Sequence, residues 1–262
     1  NFVQQAAEDE QVKEIKISLY RVAKTSKLTS SLLKALSRGK KLTVFIEAKA
    51  RFDEQNNLEW GKRFEEHGAK VIYSYPKIKI HSKILCVSRQ ELDKIKYYAY
   101  IGTGNFNAKT SKLYCDHGLF TADKNITKEL FRVFQVIEGE LIIPKVKKLL
   151  VSPFNTRKRF DKLIQKEIDQ AKMGKPAKIT AKMNSLEDKE IIKLLYKASI
   201  NGVEVRLIVR GFCCLIPGLE DFSKNIKVTS ILDRFLEHGR IYQFYHKGDE
   251  KIYMGSADWM TR

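Results

Sequence analysis

Two stretches of this chain carry the same sparse pattern of reactive residues. The first runs His81-Ser82-Lys83-Ile84-Leu85-Cys86 and is followed by Tyr100-Ile101-Gly102-Thr103-Gly104-Asn105-Phe106. The second runs His238-Gly239-Arg240-Ile241-Tyr242 and is followed by Tyr253-Met254-Gly255-Ser256-Ala257-Asp258-Trp259. Each is a histidine, a cation two residues on, an apolar strand, and a Gly-Thr/Ser-x-Asn/Asp turn. Two such units facing one cleft would suit phosphoryl chemistry: one imidazole attacks, the other protonates, and the cations hold oxygens.

Those residues need elements to hold them, and the elements repeat as well. Leu32 to Gly39 leads into Lys41–Glu47, and Leu194 to Gly202 leads into Val203–Arg210. Both read as an amphipathic helix, a Gly C-cap and a β-rich strand. The first half reads as strand 15–20, helix 29–38, strand 42–47, helix 58–67 and strand 70–75. Strands 79–87 and 97–102 follow, flanking a polar turn at 88–94. A helix beginning near Asn125 carries Leu130, Phe131, Phe134, Ile137 and Leu141 at core spacing. Between Pro153 and Gly174 lies a charged helix with Phe160, Leu163, Ile164 and Ile168 on one face. Alternating strands and helices argue for an α/β (α+β) protein with mixed sheets flanked by helices. The restart at Ile179 puts a boundary near residue 150, giving units 1–150 and 151–262. The chain opens in mid-helix and stops just after Asp258-Trp259-Met260-Thr261-Arg262, so it reads as part of something longer, with a final strand expected beyond.

With 262 residues and 43% hydrophobic content, the chain has material for two packed cores. No apolar run approaches a membrane span. The four cysteines, Cys86, Cys115, Cys213 and Cys214, form no CxxC pair and read as reduced thiols. The net charge of +18 draws polyanions: nucleic acid, an anionic membrane surface or a phosphate polymer. Solvated lysines on helical faces, as in Lys145-Val146-Lys147-Lys148, account for part of it.

His-x-Lys followed by Gly-Ser/Thr-x-Asn resembles the phospholipase D superfamily signature. That signature adds an Asp after four intervening residues, where this chain has Ser88 and Tyr245. Arg240 also stands for Lys and Asp258 for Asn. Longer segments are more specific. Tyr20-Arg21-Val22-Ala23, Glu47 to Glu54, Lys79 to Lys83, Ile101 to Asn107, Leu113 to Asp116, Val209 to Cys213, Ile231 to His238 and Ser256 to Arg262 look like polyphosphate kinase of the phospholipase D-like class. The resemblance covers nearly the whole chain and corresponds to that family's C-terminal catalytic domains.

The resemblance implies two phospholipase D-like domains, and the internal repeat predicts that they pack about a pseudo-two-fold axis with His81 and His238 on opposite sides of a basic cleft lined by Lys83, Arg51, Arg210 and Arg240. The resemblance also implies reversible transfer of the ATP γ-phosphoryl group to inorganic polyphosphate through a phosphohistidine. His81 matches the nucleophile, with Lys83, Asn105 and Asn107 placed to contact equatorial oxygens. His238 matches the second catalytic histidine, near the nucleotide phosphates and suited to general-acid work. Tyr114 and Arg210 match nucleotide-binding positions. Arg21 and Arg51 match the family's Mg²⁺ site. A guanidinium has no lone pair for a cation, so both read as clamps on Mg²⁺-bound phosphate oxygens. Tyr100 stands where some relatives carry another histidine.

The implied partners are ATP or ADP and polyphosphate, with no nucleic acid expected. Homo-oligomers are expected of the full-length protein. The implied location is cytoplasmic, with peripheral membrane association left open. A phospholipase D-like nuclease or phosphodiesterase is the alternative that the paired units and charge would also suit. His67 before Gly68 suits a helix C-terminus, His246 a polar turn, and His117 a place beside the site.

Overall fold

A computed structural model describes residues 1–23, 26–47, 53–74 and 80–261. The chain forms two compact units, Asn1–Lys112 with Gly118–Leu149, and Leu113–His117 with Leu150–Arg262.

In the first unit α1 (Phe2–Glu8) precedes β1 (Val12–Leu19), α2 (Lys27–Ser37), β2 (Lys41–Ile46), α3 (Glu54–Glu66) and β3 (Lys70–Tyr73). Then come β4 (Lys83–Glu91) and β5 (Lys94–Gly102). The short strand β6 (Tyr114–Cys115) belongs to the second unit, after which β7 (Gly118–Thr121) and α4 (Lys124–Ile137) complete the first. The sheet order is β3-β2-β1-β4-β5-β7, with β1, β2 and β3 parallel and β4, β5 and β7 antiparallel. Ser26 caps α2 by accepting from the Thr29 N–H, and Gly39 (φ 74°) and Gly68 (φ 87°) let the chain leave α2 and α3 left-handed. The central strands β1 and β2 are buried almost throughout: apolar side chains cover both faces of β2, while the second face of β1 buries the polar Lys16 and Ser18. Ile15, Ile17, Leu32, Val44 and Phe64 form one cluster, and Phe45, Ile84, Cys86, Leu130 and Phe134 another. Burial pushes the Cys86 thiol up to about 12, leaving it inert.

The second unit holds α5 (Thr156–Lys172), β8 (Lys178–Met183), α6 (Lys189–Ile200), β9 (Glu204–Val209), β10 (Ile226–Thr229), β11 (Leu236–Glu237), β12 (Arg240–Phe244) and β13 (Lys251–Gly255). Its main sheet has the order β10-β9-β8-β12-β13: again three parallel strands, then two antiparallel. Here burial alternates along β8, β9 and β12, so one face packs and the other is wetter. Phe160, Leu163, Ile164 and Ile168 of α5 pack on the buried face as expected. Residues 210–225 join β9 to the parallel β10 without a helix, where α3 joins β2 to β3.

Three expectations need correction. The polar segment 88–94 is not a long turn. β4 runs on to Glu91 and β5 begins at Lys94, with Leu92 at the tip in a left-handed conformation (φ 50°), because the cross-strand ladder extends past the apolar residues. Helix α3 begins at Glu54, four residues before Leu58, since its first turn is polar yet carries the buried Asn57. Leu141 lies past the end of α4 and is exposed. No helix among the described residues is long and apolar enough to cross a membrane.

Candidate functional site

In each unit the reactive residues gather where the parallel strands end. Tyr20 and Arg21 follow β1, Glu47 follows β2, and Lys83 opens the antiparallel β4. In the second unit Asn184 follows β8, Arg210 follows β9 and Arg240 opens β12. Loops at strand carboxyl ends are the usual place for ligand contacts in such sheets.

The His81 ring meets the Tyr20 ring edge-on, with centroids 4.9 Å apart. Lys83 is 1% exposed; its ammonium donates to the His81 carbonyl and lies 4.9 Å from the Tyr20 ring centre. A buried ammonium needs such company. Ser18, also buried, secures the strand on both sides of Lys83: its hydroxyl donates to the Ser82 carbonyl at 2.8 Å and accepts from the Ile84 N–H at 3.1 Å. Arg21 pairs with Asp53, Nε to Oδ2 at 3.3 Å. Past β5, Asn105 Oδ1 is buried with no hydrogen-bond partner among the described residues. Such a group signals an absent partner, and a rotated amide would offer a donor to an oxyanion. Asn107 is spent locally, its Oδ1 accepting from the Lys109 and Thr110 N–H groups. The Tyr100 ring folds back over Gly102, where a Cβ would come within 2.3 Å of its hydroxyl, and packs against Phe106 and Phe120. Tyr100 is therefore a packing residue. Arg51 lies outside the described residues.

The second site is built partly from the segment Leu113–His117. β6 pairs in parallel with β11, and the Gly239 N–H donates to the Cys115 carbonyl at 3.0 Å. Gly239 leaves room for the His117 ring, since a Cβ there would lie 2.6 Å from it and force that ring to shift. This pairing brings Tyr114 and Asp116 to His238. The Tyr114 and His238 rings lie 4.9 Å apart, and Nδ1 of the buried His238 is 2.7 Å from Asp116 Oδ1. An ionised carboxylate only accepts, so Nδ1 carries the proton and Nε2 is left for proton exchange. Arg240 donates to the His238 carbonyl at 2.5 Å and forks onto Asp258, Nε at 3.1 Å and Nη2 at 3.3 Å. Beside it, Arg210 Nε is buried with no hydrogen-bond partner among the described residues. Burial, then the Arg240 charge, press the Arg210 guanidinium below its usual value. An arriving phosphate would relieve both stresses.

Among the described residues no three His, Cys, Asp or Glu side chains could together hold a metal ion. The chemistry of the set at His81 is cationic, so these residues do not fit a protein-held Mg²⁺; they fit the phosphates that carry one.

Two functional candidates, Asp116 and Asn57, escaped the sequence reading, as did the pairing of Arg240 with Asp258. Asp116 was visible only as a member of a motif. The Arg240–Asp258 pair left a trace, since Lys-to-Arg and Asn-to-Asp changes occur together in the second repeat. Asn57 left none.

The family models for polyphosphate kinase C-terminal domain 1 and C-terminal domain 2 match residues 1–142 and 149–262. A polyphosphate kinase of Escherichia coli strain K12 is 49% identical over 260 residues, covering 99% of this chain and 38% of the relative. One of Vibrio parahaemolyticus is 50% identical, covering 99% of the chain and 37% of the relative. The crystal structure of polyphosphate kinase from Porphyromonas gingivalis is similar with a TM-score of 0.90 and 40% identity, covering 99% of this chain and 43% of that one. The chain thus spans under two-fifths of the length of these curated relatives.

Proposed function

Because the chain belongs to the polyphosphate kinase family, we propose that it carries the phosphoryl-transfer residues of such an enzyme, moving the ATP γ-phosphoryl group reversibly to the end of inorganic polyphosphate. A ring nitrogen of His81 attacks the γ-phosphorus, the bond to the bridging oxygen breaks, and ADP leaves. A terminal oxygen of polyphosphate then attacks the same phosphorus, the N–P bond breaks, and the histidine is regenerated. Lys83, Asn105 and Arg21 meet the equatorial oxygens as charge spreads over them. His238, its Nδ1–H fixed on Asp116, gives or takes a proton at the nucleotide phosphates through Nε2. Tyr114 takes the base and Arg210 the phosphates. Mg²⁺ supplies charge neutralisation on the phosphates when it arrives with the nucleotide.

One observation carries this reading. In both units the cation two residues past the histidine donates to that histidine's own carbonyl. The cation is thereby fixed on the histidine's backbone in a buried place, the kind of preorganisation that phosphoryl transfer rewards.

The test is incubation of the full native chain with γ-labelled ATP, Mg²⁺ and polyphosphate. The expected result is acid-labile, base-stable protein phosphate at His81 and longer polyphosphate. Cleavage of DNA or phosphodiesters without labelling would replace this reading with the nuclease one.

A further inference from the structure

Several loops meet at one buried amide, and two of them carry residues the proposed transfer needs. Asn57, in the first turn of α3, is 0% exposed. Its Oδ1 accepts from the Val22 N–H at 3.1 Å, and its Nδ2 donates to the Tyr20 carbonyl at 3.0 Å and the Glu47 carbonyl at 2.9 Å. The first two groups lie on either side of Arg21. Asn56 adds a donation to the Val22 carbonyl at 2.6 Å, and Asp53, at the N-cap of the same helix, pairs with the Arg21 side chain.

The network continues through Glu47, which is 1% exposed. Its Oε1 accepts from the Ser74 hydroxyl at 2.7 Å, and its Oε2 accepts from the Ile80 N–H at 3.0 Å, one residue before His81. These backbone groups lie beyond the ends of β1 and β2, where no ladder serves them. Side chains must satisfy them, because an unpaired buried backbone group costs about as much as a lost hydrogen bond. The demand at residue 57 is one acceptor and two donors in one compact planar group, which Asn meets. Asp supplies no donor and Leu neither kind.

We propose that Asn57, acting through Glu47, is a positioning residue for the phosphoryl transfer. It holds Arg21 and the segment bearing His81 in one fixed relation without touching substrate. A helix anchor needs only one of these bonds; this amide brackets Arg21 on both sides and reaches the residue before His81 through a single buried carboxylate. The inference rests on the reading that His81 takes the phosphoryl group.

The test uses the full native chain and three variants. Asn57→Asp keeps the acceptor for Val22 but sets a carboxylate against two carbonyls. Glu47→Gln keeps one acceptor and turns an NH₂ toward the other donor. His81→Ala is the control. Phosphohistidine formation is followed in a single turnover at saturating ATP, beside the ATP half-saturation and a melting curve. Misplacing reacting groups by about 1 Å can cost on the order of 100-fold. Asn57→Asp is therefore expected to slow labelling roughly 10- to 100-fold with ATP half-saturation little changed, and Glu47→Gln to fall between it and the parent. A parent labelling rate in a cooperatively melting Asn57→Asp, or a loss confined to half-saturation, overturns the inference. Should Asn57→Asp not melt cooperatively, the same two outcomes in Glu47→Gln decide. Label retained by His81→Ala takes down the mechanism as well; label lost there but formed at the parent rate in Asn57→Asp overturns the inference alone.

Discussion

Lys83 and Arg240 make the same contact with the histidine before them and then meet different company. Lys83 donates to a carbonyl and lies against the Tyr20 ring, with its strand pinned by Ser18. Arg240 is neutralised hard, by a fork onto Asp258 whose Oδ1 also accepts from the Asn184 N–H at 2.8 Å. The histidines differ in parallel. His81 touches an aromatic edge, whereas His238 has a carboxylate on Nδ1. A nucleophile must free a nitrogen to attack phosphorus; a proton donor must keep one tautomer. Under the proposed division of roles, one duplicated frame would serve two chemistries, the carboxylate of Asp116 fixing a single tautomer at His238.

The sharpest way to break that comparison is to remove each imidazole. His81→Ala should abolish phosphohistidine and turnover together. His238→Ala should leave labelling at His81 detectable but slow turnover by about 10²- to 10⁴-fold, the usual contribution of a general acid. Asp116→Asn should fall short of that, since it keeps the imidazole and changes only the group that holds Nδ1. Equal and complete loss of label in the His81 and His238 variants would mean the two are not divided as nucleophile and acid.

The next effect concerns stability. Arg240 and Asp258 are both under 10% exposed at their side chains. Asp258→Asn leaves a guanidinium buried without its counter-ion and should destabilise by about 3–5 kcal/mol. Adding Arg240→Met removes the stranded charge and should recover much of that loss. Denaturant unfolding of the four members of this cycle gives the coupling. Losses that simply add would show that the fork is not what distinguishes this unit from the first.

How much of this could be read beforehand follows from where each signal resides. Periodicity showed α2 and α6, since Leu32 and Leu195 recur at helical spacing before glycines that are left-handed in the structure at 39 and 202. The His-x-cation spacing pointed to a strand after each histidine, though the expected strand 79–87 starts early: β4 opens only at Lys83. Asn57 was illegible. Its partners lie 10 to 37 residues away in sequence, and a buried Asn in a polar first turn looks like any solvated one until the loops close on it. Asp116 was half legible, as a motif member without a role. That role depends on β6 leaving the β5–β7 connection to pair with β11, a register that nothing in the two-residue strands announces.

The smallest effect tests that pairing through pH. Glu237 of β11 binds Lys182, and this hydrogen bond, chiefly, holds its carboxyl below the ordinary value of 4.5 against the opposing pull of burial. In the first unit the sign is reversed: burial raises the Glu138 carboxyl despite its bond to Lys16. A lowered folded value means that the folded state binds fewer protons than the unfolded one. The Glu237 contribution is therefore present above about pH 4.5 and is lost as the pH falls through the lower folded value. For Glu138 the same fall in pH removes a burial cost. The Lys182–Glu237 pair is partly exposed, so its worth is about 0.5–1 kcal/mol. Glu237→Gln should lose that amount at pH 7 and match the parent once the parent's Glu237 is protonated, with the change read from protection of the amides of β6 and β11. No deficit at any pH would show that the segment bearing Tyr114 and Asp116 is held by its backbone pairing alone, unlike the strand around Lys83, which the Ser18 side chain pins.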